Sequence, residues 1–471
     1  MNFILDPTVA GISALLSSGY NSQKPNGDRI EAEQTGGANY TVYNIPASCF
    51  ESLGIPTTEV SKVAPTDPDQ DFYFSESAKG VPGSTVSFVY EMKGPSLLEK
   101  LQRAVDLLSI KNPALRSTFI QVEDTYYQVL LKTGNTKIVH HSEDIKEFLT
   151  HSVKRIVHPG DSVTQYALVQ NHGKTFFVFS ILHSFFDAFS RTILERDLLD
   201  ALKSPELFLE QAERLWYGDF VAHKQKTLDK QANSAFWATY LGNACLETFY
   251  EGKPKQRHTF DSSLRETLPN TLVQGRSIHI ATAVLTAWSL TLMSESGQRD
   301  VAFAIVALGR LYPYEGIERT IGLFVRDRIF RLRATSDEVD IGSLRGSVQE
   351  DLVSTGTQEH GKVAGILPGI DGAPVAQSYI NVKAGGSKLE NQSINGLVLT
   401  PRRDMEHWTF STRYAIYIEM WVSDDGYVFE MRYQSTLVPL ARAQRLFAAF
   451  IKTLKLVVGS DDGMKLGDFV L

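Results

Sequence analysis

Residues 175–182 form an almost uninterrupted apolar run, Thr-Phe-Phe-Val-Phe-Ser-Ile-Leu, before the middle of the chain. An aromatic-rich run with so little polar alternation predicts a strand that is buried on both faces. Residues 165–170 read as a second strand, and the turn at 171–174 contains a glycine, so the two strands are predicted to form a hairpin. This hairpin must therefore lie inside a sheet that is covered on both sides.

Strand and helix signals alternate along much of the remaining chain. Strands are predicted at residues 87–92, 125–131, 301–306 and 414–422, and helices at 96–108 and 440–458. In the first of these helices, Ser96 is a possible N-cap and Glu99 would complete a capping box. The alternation predicts a mixed α/β fold with two lobes.

The N-terminal region is different in character. Asp6 and Pro7 precede an apolar stripe at helical spacing, which predicts a short first helix. Residues 18–62 are rich in Gly, Pro and Ser and show little sustained period, which is typical of a linker with a domain boundary.

Composition excludes several classes of protein. There are 47 Lys and Arg against 54 Asp and Glu, so the net charge is −7, which argues against a protein that binds the nucleic-acid backbone. Two cysteines provide neither a disulfide framework nor a zinc site. Neither a membrane-spanning run nor a secretory signal is recognisable, so a cytoplasmic protein is expected.

The segment from His183 to Asp187 is the strongest candidate for a catalytic site in this sequence. His183 ends the buried strand and precedes a helix, and Asp187 follows it by four residues. Histidine titrates near neutrality and can accept a proton from an attacking amine or alcohol. Since a histidine near an aspartate is more often structural, the spacing alone leaves catalysis and a structural role open.

Several segments together resemble the condensation domains of nonribosomal peptide synthetases. The segment from His183 to Ser190 is similar to the family's HHxxxDG signature, and more similar to the SHxxxDxxS/T variant of fungal terminal condensation domains. Other family elements follow one another in the expected order over residues 63–471: Pro65 to Gln70, Asn112 to Phe119 (similar to HxxLRTxF), Tyr217 to Phe220 (the start of YxDFAVW), Gly309-Arg310, Ile321 to Val325, and Asn381.

This chain also departs from the family pattern. Leu182 replaces the first His or Ser of the signature, and Ala188 replaces its Gly. Arg326-Asp327 replaces the usual Asn-Thr. The histidine that would act as base is intact.

The resemblance implies an α/β fold with mixed sheets, in which two chloramphenicol acetyltransferase-like lobes form a V-shaped pseudo-dimer around a central tunnel. It divides the chain into residues 1–17, a remnant of an upstream carrier (thiolation) domain helix, a linker at 18–62, an N-terminal lobe at 63–245 and a C-terminal lobe at 246–471. It also implies that Asp187 is structural and pairs with Arg116.

The function implied is that of a terminal condensation domain. Such a domain would release a carrier-bound peptidyl thioester by intramolecular amide formation, with His183 as base or positioner. Ser184, Ser190 and Asn381 are candidate substrate-binding residues. Neither a metal nor a cofactor bound by the chain itself is expected. The substrate would arrive on the phosphopantetheine arm of an upstream carrier domain. A monomer is expected.

Two alternatives remain. The chain could join a carrier-bound acyl group to a separate amine or alcohol, or it could be a non-catalytic module that recruits a partner. The intact His183 and Asp187 argue against the second alternative, whereas the Asp-x-x-Ser ending and a chain that stops at Leu471 favour peptide release. The peptide, the attacking nucleophile and the ring size cannot be derived from the sequence.

Overall fold

In the part of the chain that the structure describes, two six-stranded sheets, one in each lobe, organise the fold, and a three-stranded sheet completes the N-terminal lobe. The strands are β1 (Val60–Pro65), β2 (Thr85–Lys93), β3 (Ser117–Val122), β4 (Thr125–Leu131), β5 (Ile138–His141), β6 (Thr164–Asn171), β7 (Lys174–Leu182), β8 (Ser262–Leu268), β9 (Asp300–Leu308), β10 (Val325–Arg333), β11 (Ser378–Lys383), β12 (Gln392–Ile394), β13 (Leu397–Pro401), β14 (Ile416–Ser423) and β15 (Gly426–Tyr433). The strand orders are β12-β13-β2-β7-β6-β5 in the N-terminal lobe, β10-β9-β11-β14-β15-β8 in the C-terminal lobe, and β1-β4-β3 in the small sheet.

Helices pack against these sheets. They are α1 (Ala47–Glu51), α2 (Pro68–Ala78), α3 (Leu97–Lys111), α4 (Ile145–Ser152), α5 (Ala188–Lys203), α6 (Pro205–Glu210), α7 (Tyr217–Thr227), α8 (Lys230–Leu241), α9 (Ile280–Ser296), α10 (Ile341–Gly356) and α11 (Leu440–Gly459). The mixed α/β class and the two lobes predicted from the sequence are confirmed. Among the described residues, no helix combines the length and apolar character that crossing a membrane requires.

The computed structural model describes residues 43–81, 83–94, 97–242, 244, 259–274, 278–356, 358–359, 377–383, 391–406, 412, 414–423 and 425–468. The predicted first helix, the carrier-domain remnant at 1–17 and the Ser96 cap lie outside these residues. So does the predicted lobe boundary at 245–246.

The predicted hairpin is present. β6 and β7 pair antiparallel up to Asn171 and Lys174, which leaves His172 and Gly173 as a two-residue turn. Both turn residues have positive φ, 46° and 73°, as a turn that matches the twist of the strands requires. β7 lies between β2 and β6, and its last seven residues are buried, as its apolar sequence predicted.

The predicted linker is shorter than expected at its C-terminal end. Phe50 is fully buried and packs with Ile45, Ile55 and Val63 in a small apolar cluster on the three-stranded sheet. β1 already begins at Val60. Enough apolar residues therefore interrupt the Pro- and Ser-rich pattern to attach this segment to the lobe.

The division of the chain into two consecutive lobes is also too simple. β13, which follows most of the C-terminal lobe in sequence, pairs antiparallel with β2 and so extends the N-terminal sheet. Conversely, Trp237 and Leu241 of α8 are buried in the core of the C-terminal lobe. The lobes therefore exchange segments in both directions.

Candidate active site

His183 lies where the buried strand β7 ends. Its backbone N–H donates to the Ser84 carbonyl at 2.8 Å, and the residue begins a short 3-10 turn, His183–Phe185. The apolar residues of β7 anchor the strand in the core, and Asp187 caps α5 by accepting a hydrogen bond from the Ser190 N–H at 2.7 Å. The histidine is thus fixed between a rigid strand and a rigid helix.

The surroundings of His183 favour the neutral imidazole. Burial lowers its pKa below the ordinary value of 6.5, and the positive charge of Lys383 acts in the same direction. Backbone hydrogen bonds at His183 and Phe186 and the carboxylate of Asp187 oppose this shift without reversing it. At neutral pH the ring is therefore mostly unprotonated and able to accept a proton.

The ring of His183 stacks on Tyr73 of α2. The two ring centroids are 4.4 Å apart and the planes differ by only 3°. Nothing in the sequence pattern singled out Tyr73, because the contact joins residues that are far apart in the chain.

Asp187 is fully buried, and its partners come from both lobes. Its carboxylate accepts hydrogen bonds from the Ser190 N–H, from the Phe324 N–H at 3.0 Å and from the Arg310 guanidinium at 3.2 Å. Arg310 is also fully buried and donates to the carbonyls of Ile317 and Thr320. This ion pair ties the start of α5 to the segment that precedes β10.

The predicted Asp187–Arg116 pair is wrong. Arg116 forms an ion pair with Glu213 and donates to the Leu131 carbonyl at 2.8 Å, so it supports the small sheet instead. Arg310 takes the place expected for Arg116. The sequence pattern marks Gly309-Arg310 only as a family element, and nothing in that pattern indicates that Arg310 is buried.

Two of the three candidate substrate-binding residues have structural roles. Ser184 is fully buried, and its hydroxyl donates to the Gln70 carbonyl at 3.3 Å. Ser190 is fully buried as well, and its hydroxyl oxygen donates to the Gly322 carbonyl at 3.0 Å while accepting from the Gly322 N–H and from Arg310 at 3.1 Å. The Ser184 hydroxyl therefore holds the turn that carries His183, and the Ser190 hydroxyl joins α5 to Gly322 and Arg310. The prediction that these two side chains bind substrate is corrected.

Asn381, the third candidate, is only partly buried. Its side-chain amide donates to the Tyr417 hydroxyl at 2.9 Å, and that hydroxyl donates to Glu419 at 3.0 Å. Lys383, two positions further along β11 and on the same face, pairs with Glu419 and influences the pKa of His183. The charge of Lys383 therefore acts on the histidine, and substrate binding by Asn381 stays a prediction.

Sequence reasoning missed a second buried charge network between the lobes. Asp67 caps α2 and pairs with Lys224 at 3.1 Å and with Arg326 of β10. Burial alone would raise the pKa of Asp67, but the charges of Arg326 and Lys224 lower it to about 2. The Tyr217 hydroxyl donates to the Leu323 carbonyl at 2.6 Å beside them. The replacement of Asn by Arg326 was the available signal.

Gln70 gains a definite role from the structure. Its side-chain amide donates to the Ser184 carbonyl at 3.0 Å, which links α2 to the turn that carries His183. The described residues contain no group of His, Cys, Asp and Glu side chains arranged to hold a metal ion. The chemistry that this site can perform with its own groups is proton transfer at the imidazole.

Known proteins are similar to this chain over most of its length. A sequence model of the family described as Condensation domain matches residues 60–462. The chain is 27% identical to Nonribosomal peptide synthetase 8 of Gibberella moniliformis over 93% of this chain and 84% of that protein. It is 25% identical to Nonribosomal peptide synthetase ALT12 of Alternaria alternata over 94% and 83%, respectively.

Solved structures have the same fold. The crystal structure of holo T3CT superposes with a TM-score of 0.71 at 18% identity, covering 94% of this chain and 100% of that one. The matched family region runs from the first residue of β1 to just beyond the end of α11. The chain accordingly belongs to the condensation domain family of nonribosomal peptide synthetases.

Proposed function

We propose that this condensation domain is a terminal one, which releases a carrier-bound peptidyl thioester by intramolecular amide formation, that is, by macrocyclisation. The observation that carries the proposal is the position of His183, whose imidazole is fixed between β7 and α5. Burial lowers the pKa of this imidazole, which favours the form that accepts a proton. The buried Ser190 supports the assignment, because it completes the Asp-x-x-Ser ending and holds Gly322 and Arg310.

The residues suggest a sequence of steps. The amine nitrogen of the peptide attacks the thioester carbonyl, and His183 accepts the proton that this nitrogen loses. The tetrahedral intermediate then collapses, the carbon–sulfur bond breaks, and the proton passes to the departing pantetheine sulfur. Holding both ends of one peptide in a single site makes the reaction unimolecular, which removes much of the entropic barrier.

A release assay by mass spectrometry tests this proposal. Candidate peptides are loaded as pantetheine thioesters on an upstream carrier domain and incubated with the wild type and with His183→Ala. A product lighter than the free acid by one water, absent with His183→Ala, is the expected result. Equal turnover by both proteins would remove His183 from the chemistry and favour a module that recruits a partner.

Intermolecular condensation is the second candidate. The match to this chain covers 84% and 83% of the two fungal relatives. A condensation domain that acts apart from its carrier would receive both the acyl group and the acceptor from other chains. In the same assay, product that forms only after a separate amine or alcohol is added would favour this candidate.

Partner and setting belong to the same proposal. The partner is the carrier domain whose phosphopantetheine arm delivers the thioester. We place the reaction in the cytoplasm and assign it to a monomer, since the two lobes already supply both sides of the site.

A further inference from the structure

We infer that Tyr73 is a positioning residue, which holds the imidazole of His183 in one plane and links that plane to the contact between the lobes. The inference rests on the proposed function in one respect: it takes His183 to be the group that handles the proton. The stacking itself is a property of the structure and can be tested separately.

The geometry of the pair restrains the histidine. Aromatic rings in proteins prefer offset-stacked or edge-to-face arrangements, with centroids 4.5–7 Å apart. The Tyr73 and His183 rings are parallel within 3° at 4.4 Å. At this separation the imidazole cannot turn about its Cβ–Cγ bond without colliding with the phenol ring, so its nitrogen atoms keep a fixed direction.

Tyr73 is itself held in position from two sides. It lies one helical turn after Gln70, whose amide donates to the Ser184 carbonyl while the Ser184 hydroxyl donates back to the Gln70 carbonyl. This reciprocal pair locks α2 against the turn that carries His183. The stacked rings therefore belong to one rigid unit.

The other side of Tyr73 contacts the boundary between the lobes. Its ring packs against an apolar cluster to which both lobes contribute: Tyr217, Phe220 and Val221 from α7, and Ile317, Leu323 and Phe324 from the segment before β10. Asp67, at the start of the same helix, pairs with Arg326 of β10. A shift between the lobes would therefore move the ring that supports the imidazole.

The decisive substitution removes the flat ring. In Tyr73→Leu, the single-turnover rate of release should fall about 10- to 100-fold, the cost typical of a small misplacement of a reacting group, with little change in KM for the carrier. Tyr73→Phe keeps the stack and should stay within about threefold of the wild type. Tyr73→Met fills similar space without a ring and should match Tyr73→Leu, which covers the case that the leucine variant folds poorly.

A readout independent of turnover is the titration of His183, followed by NMR and assigned with His183→Ala. The groups that act on it are Asp187, Lys383 and the backbone at His183 and Phe186. Tyr73→Leu opens one face of the imidazole to water, so the pKa of His183 should move toward 6.5. Tyr73→Phe keeps that face covered and should leave the pKa of His183 unchanged. The acid limb of the rate profile should move in parallel.

Tyr127→Leu is the matched control. Tyr127 is a partly buried tyrosine that pairs with Tyr43 at 5.8 Å in the peripheral cluster, and its replacement should alter neither readout. A wild-type rate and a wild-type pKa of His183 in Tyr73→Leu would overturn the inference. A rate loss in Tyr73→Phe as large as in Tyr73→Leu would also overturn it, because the hydroxyl rather than the stack would then be responsible. If the wild type itself shows no turnover that depends on His183, the proposed function fails, and the NMR titration alone decides the role of Tyr73.

Discussion

Asp187 and Arg310 are each fully shielded from water, and each supplies the charge that the other needs. Taking two ions out of water costs several kcal/mol per ion, and the pair is tolerated because further hydrogen bonds from Ser190 and Phe324 complete its coordination. At this residue scale the motif aspartate acts on the reaction only indirectly. It fixes the turn on which His183 stands.

Asp187→Ala should therefore destabilise the protein by about 3–5 kcal/mol, because it leaves the buried Arg310 guanidinium without a counter-charge. Arg116→Ala provides the comparison. The partner of Arg116, Glu213, is half exposed, so the loss of that pair should cost no more than about 1 kcal/mol. The lost hydrogen bond to the Leu131 carbonyl should add about 1 kcal/mol, which keeps the total below that for Asp187→Ala. Urea unfolding of both variants measures the difference, and a larger loss for Arg116→Ala would restore the pairing expected from the sequence.

The pH dependence of release follows from the neutral imidazole. Only the unprotonated ring can accept the amine proton, and burial places its pKa below 6.5. The single-turnover rate should therefore be level from pH 7 upward until other groups titrate, and should fall as the pH drops through the pKa of His183, below 6.5. His183→Ala should be slow and lack this limb, and a midpoint above 6.5 for the wild type would contradict the assignment.

At the scale of the elements, local patterns were predictable and distant pairings were not. The β6–β7 hairpin followed from an apolar run and a glycine-containing turn that are adjacent in sequence. The pairing of β13 with β2 joins residues about 300 positions apart, and no periodicity encodes such a partner. The same limit applies to the site: His183 was found by its local context, whereas Arg310 and Tyr73 reach Asp187 and His183 only through the tertiary fold.

β13 gives a direct test of this exchange of strands. Leu399 is fully buried in the core of the N-terminal lobe, whereas its neighbour Val398, on the opposite face, is 37% exposed. Leu399→Ala should cost about 2–5 kcal/mol in the free energy of unfolding. Val398→Ala should stay within about 0.5 kcal/mol. Equal effects would mean that the strand does not contribute to that core.

At the scale of the whole molecule, buried charge pairs among the described residues join the lobes at two places, Asp187 with Arg310 and Asp67 with Arg326. Lys224 adds a second positive charge beside Asp67. Apolar contacts around Tyr217 and Phe324 lie between the two places. The relative position of the lobes is therefore set by directional contacts as well as by apolar packing. The second of these networks depends on pH through Asp67.

The pKa of the Asp67 carboxyl is lowered from 3.8 to about 2. The ionised carboxylate therefore stabilises the fold above about pH 4, and this stabilisation is lost as the pH falls from about 4 to about 2. Asp67→Asn should lower the melting temperature at pH 7, and the gap to the wild type should narrow toward pH 2. Asp229→Asn is the control, since Asp229 also caps a helix but its hydrogen bonds lie at the surface. A constant gap between the wild type and Asp67→Asn would rule out this role for the charge.

The exchange of strands also has a consequence for biosynthesis. β2 remains an edge of the N-terminal sheet until β13 has left the ribosome, which at ordinary rates of translation takes on the order of tens of seconds. During that interval an apolar strand is open to pairing with other chains. A nascent chain arrested before Gln392 should therefore bind chaperones that recognise exposed strands, and one extended beyond Pro401 should release them.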